Sequence, residues 1–447
     1  MLRLFLVLLL LSGASGCDVV RPVEAANGTE EFEVALFEGG YGIDWHRAMA
    51  EKYVERHRDV EIKLWGDPRV EQKLKVRLLH GEPPDVMHNR ELPAWLLVAN
   101  DKLLPFNEAL DEPAPGSDKP WGELFFPGTL DAYKSDGKVW SIPSAFNAWV
   151  CWYDAKQFRE HGWEVPQTWE EFDALCHEIR EAGIAPLAFQ GKYPIYGWWT
   201  FISLIQRCGG LAAVNRINAC EPGAFSHPDV VDAARLMQEM ALDHFQTGAM
   251  AMNHTESQLQ FVNGSAAMVF CGLWLDNEMK DSVPPDFEMR AFTMPAVQDG
   301  KGNPNLVQGS GWEFFLVPSE ADNIERAFDF VRFMVSPENA PSMGREIGVI
   351  SPLKGGTPRE TVSKALGSVL DILDATEGIY YIRTDWLLLD WKANVMNTQM
   401  ANLLKGDATP EAFCAAMDAG LQASLAARDD PLPPYAPYDP AEYGESP

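Results

Sequence analysis

Between residues 32 and 87 the chain alternates strand and helix patterns, and this constrains the fold more than any other feature. In "FEVALF", Phe32, Val34 and Leu36 alternate with Glu33, Ala35 and Phe37, the period-two signature of a strand. "EGGYG" turns the chain, and Trp45, Ala48, Met49 and Tyr53 then recur at helical spacing. "VEIKLW", Val60 to Trp65, is a second alternating strand. A helix of mixed charge follows to Leu79 and stops at Gly81. Pro83-Pro84 introduces a short strand at Asp85-Val86-Met87. Strand, helix, strand, helix, strand predicts a parallel sheet with helices on its faces.

The same order of elements returns further on. Thr168-Trp169-Glu170-Glu171 reads as a capping box, in which the Thr hydroxyl takes a free N–H of the first turn and the Glu returns the bond. Phe172, Leu175, Cys176 and Ile179 supply the buried face of that helix, and Gly183 ends it. "SHPDVVDAARLMQEM" opens a helix with Pro228 in its first turn. "AAMVFCG" at 266–272 and "WEFFLVP" at 312–318 are apolar enough for buried strands. Ile324, Ala327, Phe328, Val331 and Met334 mark a further amphipathic helix, and 361–427 is largely helical. Two blocks of α/β pattern in 447 residues are more than one core ordinarily serves. The expected fold class is therefore α/β with two lobes.

The first residues read as a targeting segment: Arg3, an apolar run from Leu4 to Leu11 too short to span a bilayer, then Ala14-Ser15-Gly16 before Cys17. That pattern resembles a bacterial lipoprotein signal, 1–16 being removed and Cys17 lipidated; an ordinary signal peptide with an incidental Cys is the alternative. Asp18 resembles an inner-membrane retention signal of some Gram-negative bacteria. The expectation is an exported protein, in the periplasm or at the cell surface, held to the membrane through Cys17 and a polar tether over 17–31. At the other end "PLPPYAPYDPAEYGESP", residues 431–447, reads as a disordered or surface-hugging tail. A net charge of −29 argues against binding nucleic acid through its phosphates. Cys151, Cys176, Cys208, Cys220, Cys271 and Cys414 form no CxxC. Cys208 and Cys220 could close a small disulfide loop or remain buried thiols.

No catalytic constellation emerges: HExxH, GxSxG, P-loop and GxGxxG patterns are all missing, and Gly309-Ser310-Gly311 has the wrong spacing for a nucleophile elbow. The nine histidines lack metal-ligand spacing along the chain. The expectation is a non-enzyme with no cofactor and no metal, although acidic residues are plentiful enough that a sugar-acting carboxylate pair stays open. Aromatics and amides beside chain reversals stand out instead: Glu38 and Tyr41 in "FEGGYG", His88-Asn89, Asn147, Trp149 and Trp152 in "SAFNAWVCWYD", Trp274, Ser310, Trp312, Trp386 and Trp391. The most aromatic stretch, "FQGKYPIYGWWTF" at 189–201, looks loop-like and includes Gln190, Tyr193, Trp198 and Trp199. Rings that stack on C–H faces and amides or carboxylates that pair hydroxyls suit a sugar. The same residues could cage a cationic ammonium ligand.

Four stretches, in order, carry a family resemblance: "FEGGYGIDWHRAMAEKYVERHRDVEIKLW", "LLHGEPPDVMHN", "DGKVWSIPSAFNAWVCWYDAKQFREHGWEVPQTWEEFDALCHEI" and "FVNGSAAMVFCGLWLDNE". From Phe32 to about Ala427 the chain resembles the extracellular solute-binding proteins of bacterial ABC importers, in their carbohydrate-binding group. "FEGGYG" and "GIAPLAFQGKYPIYGWW" resemble more narrowly the members that import N-acetylglucosamine and its chitobiose dimer. The resemblance implies a type II periplasmic binding fold with a hinge and an inter-lobe cleft. The expected lobes are 32–144 plus 293–340 and 145–292 plus 341–430. It implies capture of a small carbohydrate and delivery to the membrane subunits of a permease. It places Asn89 and Asn147 as polar sugar contacts and Trp274 and Trp391 as stacking rings. With Glu38, Tyr41, Trp152, Gln190, Tyr193, Trp198, Ser310 and Trp312 these make the expected binding set. Within the aromatic stretch, Gln190, Tyr193 and Trp198 are expected to border the ligand, and Phe189, Trp199 and Phe201 to brace that wall from behind.

Overall fold

A computed structural model describes residues 18–20, 29–89 and 91–445. The expected signal peptide and Cys17 lie outside the described residues.

The N-terminal half-sheet follows the predicted order. Strands β1 (Asp18–Val20), β2 (Glu30–Phe37), β3 (Val60–Asp67) and β4 (Val86–Asn89) are joined by helices α1 (Asp44–Arg56) and α2 (Val70–His80). β2 pairs parallel with β3 and β4. Gly81 ends α2 in the left-handed region at φ 70°, where a side chain would be strained. Part of the expected tether is strand. Asp18–Val20 pairs antiparallel with β3, and Glu30 and Glu31 already belong to β2. The reason lies in β3: its outer edge offers unpaired backbone groups, and a passing segment of any composition can satisfy them.

Two long strands then carry the sheet onward. β5 (Ile142–Asp154) and, later, β9 (Leu306–Leu316) run antiparallel to each other, from Ile142 opposite Phe315 to Ala148 opposite Gly309. β9 also pairs with β4 at one end, and β5 with β7 (Ala266–Gly272) at the other. With β6 (Ala185–Ala188) the order is β1-β3-β2-β4-β9-β5-β7-β6; β8 (Met289–Phe292) adds to β5 and β10 (Gly378–Tyr380) to β9. The two halves are thus bridged by strands that belong to both. "WEFFLVP" is only the end of β9, which starts six residues earlier, because Gly309, Ser310 and Gly311 interrupt the apolar pattern.

Helices α3 (Trp169–Glu181), α4 (Ile195–Asn218), α5 (Pro228–His244) and α6 (Trp274–Met279) build the second half. α7 (Ile324–Met334) returns to the first, and α8 (Thr384–Leu387) lies against the second. The capping box forms as predicted: Glu171 N–H donates to Thr168 Oγ1 at 3.2 Å and Thr168 N–H to Glu171 at 3.3 Å. Two large cores result, beside a small cluster around Leu74, Met87 and Leu316. Phe32, Ile62, Trp121, Phe330 and Leu353 belong to one large core, and Trp152, Phe172, Trp198, Leu306 and Trp391 to the other. Cys208 and Cys220 are free, buried thiols, as are the four other described cysteines.

The aromatic stretch is loop and turn only as far as Pro194; its second half is helix. Pro194 caps α4, which begins at Ile195. Its pattern hides the helix because the helix is buried on nearly every side, so apolar residues occupy all faces and no period shows. Gly210 interrupts α4 in the left-handed region (φ 62°), which a side chain would resist. The Leu211 N–H freed there donates to the Glu445 carboxylate at 2.5 Å, and Asn303 N–H donates to the same group at 2.9 Å. The Pro-rich tail is therefore docked: Asn215 also donates to Tyr438 O at 2.8 Å and accepts from the Tyr435 hydroxyl at 2.7 Å. Glu445→Ala would strand two backbone donors. It should destabilise by about 1–3 kcal/mol in urea titrations; an unchanged midpoint would show that the tail contributes nothing.

Candidate functional site

Two adjoining compartments of about 40 and 90 Å³ open where β4, β5, β9, α4 and α8 meet. Both are lined by Trp199, Trp312, Asp385 and Trp386. Larger hollows of about 480 and 940 Å³ lie beside Ile379 and Phe287, but neither contains a buried polar side-chain atom without a partner among the described residues. The smaller compartments contain several such atoms.

The floor is Asp385, in the first turn of α8 and 1% exposed. Neither carboxylate oxygen meets a donor at normal hydrogen-bond geometry, and the nearby Trp198 indole N–H is likewise unmatched. Burial raises its pKa from 3.8 to about 6; Lys392 and the indole N–H of Trp198, which lies behind it, pull the value back only in part. Across the cleft, Asn89 Oδ1 at the end of β4 is likewise buried without a partner. The Asn89 side chain meets the Tyr133 hydroxyl. Burial raises the pKa of Tyr133 and Tyr381, so both stay neutral hydroxyls. Lys392 pairs with Glu91 at 3.4 Å on the wall of the larger compartment.

The walls are rings. Trp312 stacks on Trp274, with centroids 5.3 Å apart and planes 25° apart, so Trp274 covers one face and the other is left to the cleft. Trp199 stands edge-on to both, at 5.8 and 6.3 Å. Trp386 lies nearly parallel to Tyr133 and to Tyr381, which fixes its plane. Next to Trp312, Glu313 holds φ 49° inside a strand, a strained conformation of the kind that collects at binding sites.

The expected residues divide. Asn89, Asn147, Ser310 and Trp312 line the compartments. Asn147 also accepts from Leu273 N–H at 2.9 Å, which ties β5 to the start of α6. Trp274 is 8% exposed and backs Trp312. Neither Glu38 nor Tyr41 lines the compartments: Glu38 lies against Gly66 at the end of β3, while Tyr41 faces Glu313 and Glu278, and Asn277 donates to Gly40 O at 2.6 Å. Trp152, Trp198 and Trp391 are fully buried, with the indoles of Trp152 and Trp391 bonded to Cys271 O and Met417 O. Gln190 is core too: it donates to Phe270 O and accepts from Ser257. Tyr193 is on the surface beside His254.

Trp198 and Trp199 therefore lie the other way round from expectation: Trp199 lines the compartments and Trp198 is core. On a helix, consecutive residues point about 100° apart, and α4 turns Trp199 with Tyr196 towards Trp149 and the cleft, and Trp198 with Phe201 into the core. Asp385, Tyr133, Tyr381, Glu91 and Lys392 were not expected as site residues, and Trp386 was singled out but not placed in the binding set. "TDWLLLDW" offered one signal, an acid beside a Trp at a helix start, but no pattern along the chain shows that Asp385 is buried.

Among the described residues no helix is long and apolar enough to cross a membrane. A family model described as bacterial extracellular solute-binding protein matches residues 40–341. The diacetylchitobiose binding protein NgcE of Streptomyces coelicolor is 25% identical over 356 residues, 78% of this chain and 75% of that one. The multiple sugar-binding protein of Streptococcus mutans is 25% identical over 289 residues, 62% of this chain and 64% of its own length. The fold is that of a solved chitin oligosaccharide binding protein, with a TM-score of 0.73 at 21% identity over 89% of this chain and 99% of that one.

Proposed function

The chain belongs to the bacterial extracellular solute-binding proteins, and from that premise we propose that its cleft captures a small carbohydrate and hands it to the membrane subunits of an ABC importer. The observation that carries the reading is the pairing of unmet acceptors with rings. Asp385 and Asn89 present buried oxygens that no protein donor meets at normal hydrogen-bond geometry, beside the indoles of Trp199 and Trp312. A buried acceptor left unpaired is unfavourable, and a sugar supplies hydroxyl donors around a ring whose C–H faces fit indole. The relative named for diacetylchitobiose favours N-acetylglucosamine or its dimer as the ligand, and the multiple sugar-binding relative supports a carbohydrate more broadly.

The proposed binding set is Asn89, Tyr133, Asn147, Trp199, Ser310, Trp312, Asp385 and Trp386. At about 40 and 90 Å³ the compartments are small beside the roughly 300–1,000 Å³ of ligand pockets, so a sugar enters when the halves part. The moving bodies follow the two cores, with β5 and β9 as the hinge strands between them. Ligand contacts on both sides then favour the closed form. Anchoring through a lipidated Cys17 belongs to this reading.

A thermal-shift panel tests it. Chitobiose or N-acetylglucosamine at a hundredfold its Kd should stabilise by about 2.7 kcal/mol. Stabilisation by a quaternary amine and by no saccharide would replace the sugar with a cation held in the same ring cluster. Turnover of a chitooligosaccharide into products would make the protein an enzyme.

A further inference from the structure

Outside the cleft, one cluster of side chains has the donor set and spacing of a transition-metal site. Asp173 and His177 lie four residues apart on α3, hence on one face of the helix. His244, in the last turn of α5, meets them from the side. Its Nε2 is 2.7 Å from one Asp173 oxygen, and His177 Nε2 is 3.7 Å from the other. The three donor atoms all lie within 4.8 Å of one another.

We propose that Asp173, His177 and His244 bind a divalent transition metal of the zinc class, joining α3 to α5. Two imidazoles and one carboxylate suit zinc and its borderline neighbours, whereas calcium and magnesium prefer oxygen throughout. Zinc–ligand bonds of about 2.0–2.2 Å need donors only slightly rearranged from these positions. An ordinary ion pair would occupy one histidine; here two converge on one carboxylate. His244 is 2% exposed and its ring meets Phe172 and His177 edge-on, so it is held in place before any ion arrives. Its Nδ1 is buried and has no partner, so Asp173 is the ring's hydrogen-bond partner among the described residues. Asp173 and His177 are 49% and 57% exposed, which leaves a path for the ion and room for a water ligand. The site is invisible along the chain because His244 comes from 71 residues beyond Asp173. It shares no residue with the sugar-binding set.

Titration calorimetry of zinc chloride into tag-free, full-length protein decides the matter. The expected result is one zinc per chain with micromolar affinity, and a rise in melting temperature that magnesium does not produce. His177→Ala alters an exposed position and Asp173→Asn keeps an acceptor for His244, so both should fold with close to the wild-type melting temperature in chelator. Each should bind zinc at least tenfold more weakly. No saturable zinc binding, or wild-type affinity in both variants, overturns the proposal.

Discussion

Asp385→Asn is expected to do two opposite things: stabilise the ligand-free protein at neutral pH and weaken sugar binding roughly ten- to a hundredfold. The first follows from burial. The Asp385 pKa is raised from 3.8 to about 6, and a shift of about two units corresponds to roughly 3 kcal/mol. The sign is that of a raised carboxylate. The penalty is absent below pH 4, where the group is protonated in both folded and unfolded states. It grows as pH rises and is complete above pH 6, where the folded state holds an unpaired charge. The difference in stability between variant and wild type should therefore widen between pH 4.5 and 7.5, by as much as a few kcal/mol in chemical denaturation. The second effect follows from function. Hydrogen bonds to a charged group contribute about 1.5–3 kcal/mol, and hydroxyl donors hold the ionised form. Wild-type affinity should accordingly fall as pH drops through 6, and the variant's should not. Equal stability across the range would mean that Asp385 carries no buried charge. Unchanged affinity would remove it from the site.

The second large effect separates two neighbouring tryptophans. Trp198→Ala should destabilise the fold by about 3–5 kcal/mol, as large-to-small changes in a packed core do. Trp198 is fully buried, 5.7 Å from Trp391 and 6.0 Å from Phe225. Its indole also lies behind Asp385, so a surviving fold would present a disturbed carboxylate. Trp199→Ala should cost much less stability, because Trp199 is only partly buried, and should reduce affinity at least tenfold. Denaturation and calorimetry on the two variants give opposite rankings if the assignment holds. A Trp199 variant that binds sugar normally would return that ring to a bracing role.

The half-sheet from Phe32 to Met87 was legible because each element carries its own period. Alternation marks β2 and β3, helical spacing marks α1, and glycine stops α2. The capping box of α3 and the all-apolar β7 were equally local. So was the set of four landmarks that match a two-lobed binding protein. The site itself was half legible. Asn89, Asn147, Ser310 and Trp312 sit beside turns or glycines on strands that meet at the cleft. Their residue types suit a sugar whichever way they point.

What the chain could not show is which way a fully buried helix faces. Period reveals a face only where one side of a helix meets water, and α4 has almost no such side. Trp198 and Trp199 are alike in one dimension; only the packing of α4 against Trp149 and Trp391 tells them apart. Asp385 is the stronger case. An acid before a Trp ordinarily reads as a solvated helix start, and its charge becomes costly only when β4, β9 and α4, drawn from distant parts of the sequence, enclose it. The sequence by itself determined the α/β elements and the two-lobed class, because those depend on local periodicity. The tertiary structure decided which rings face the cleft and which carboxylate lacks a partner, because burial is set by everything around a residue.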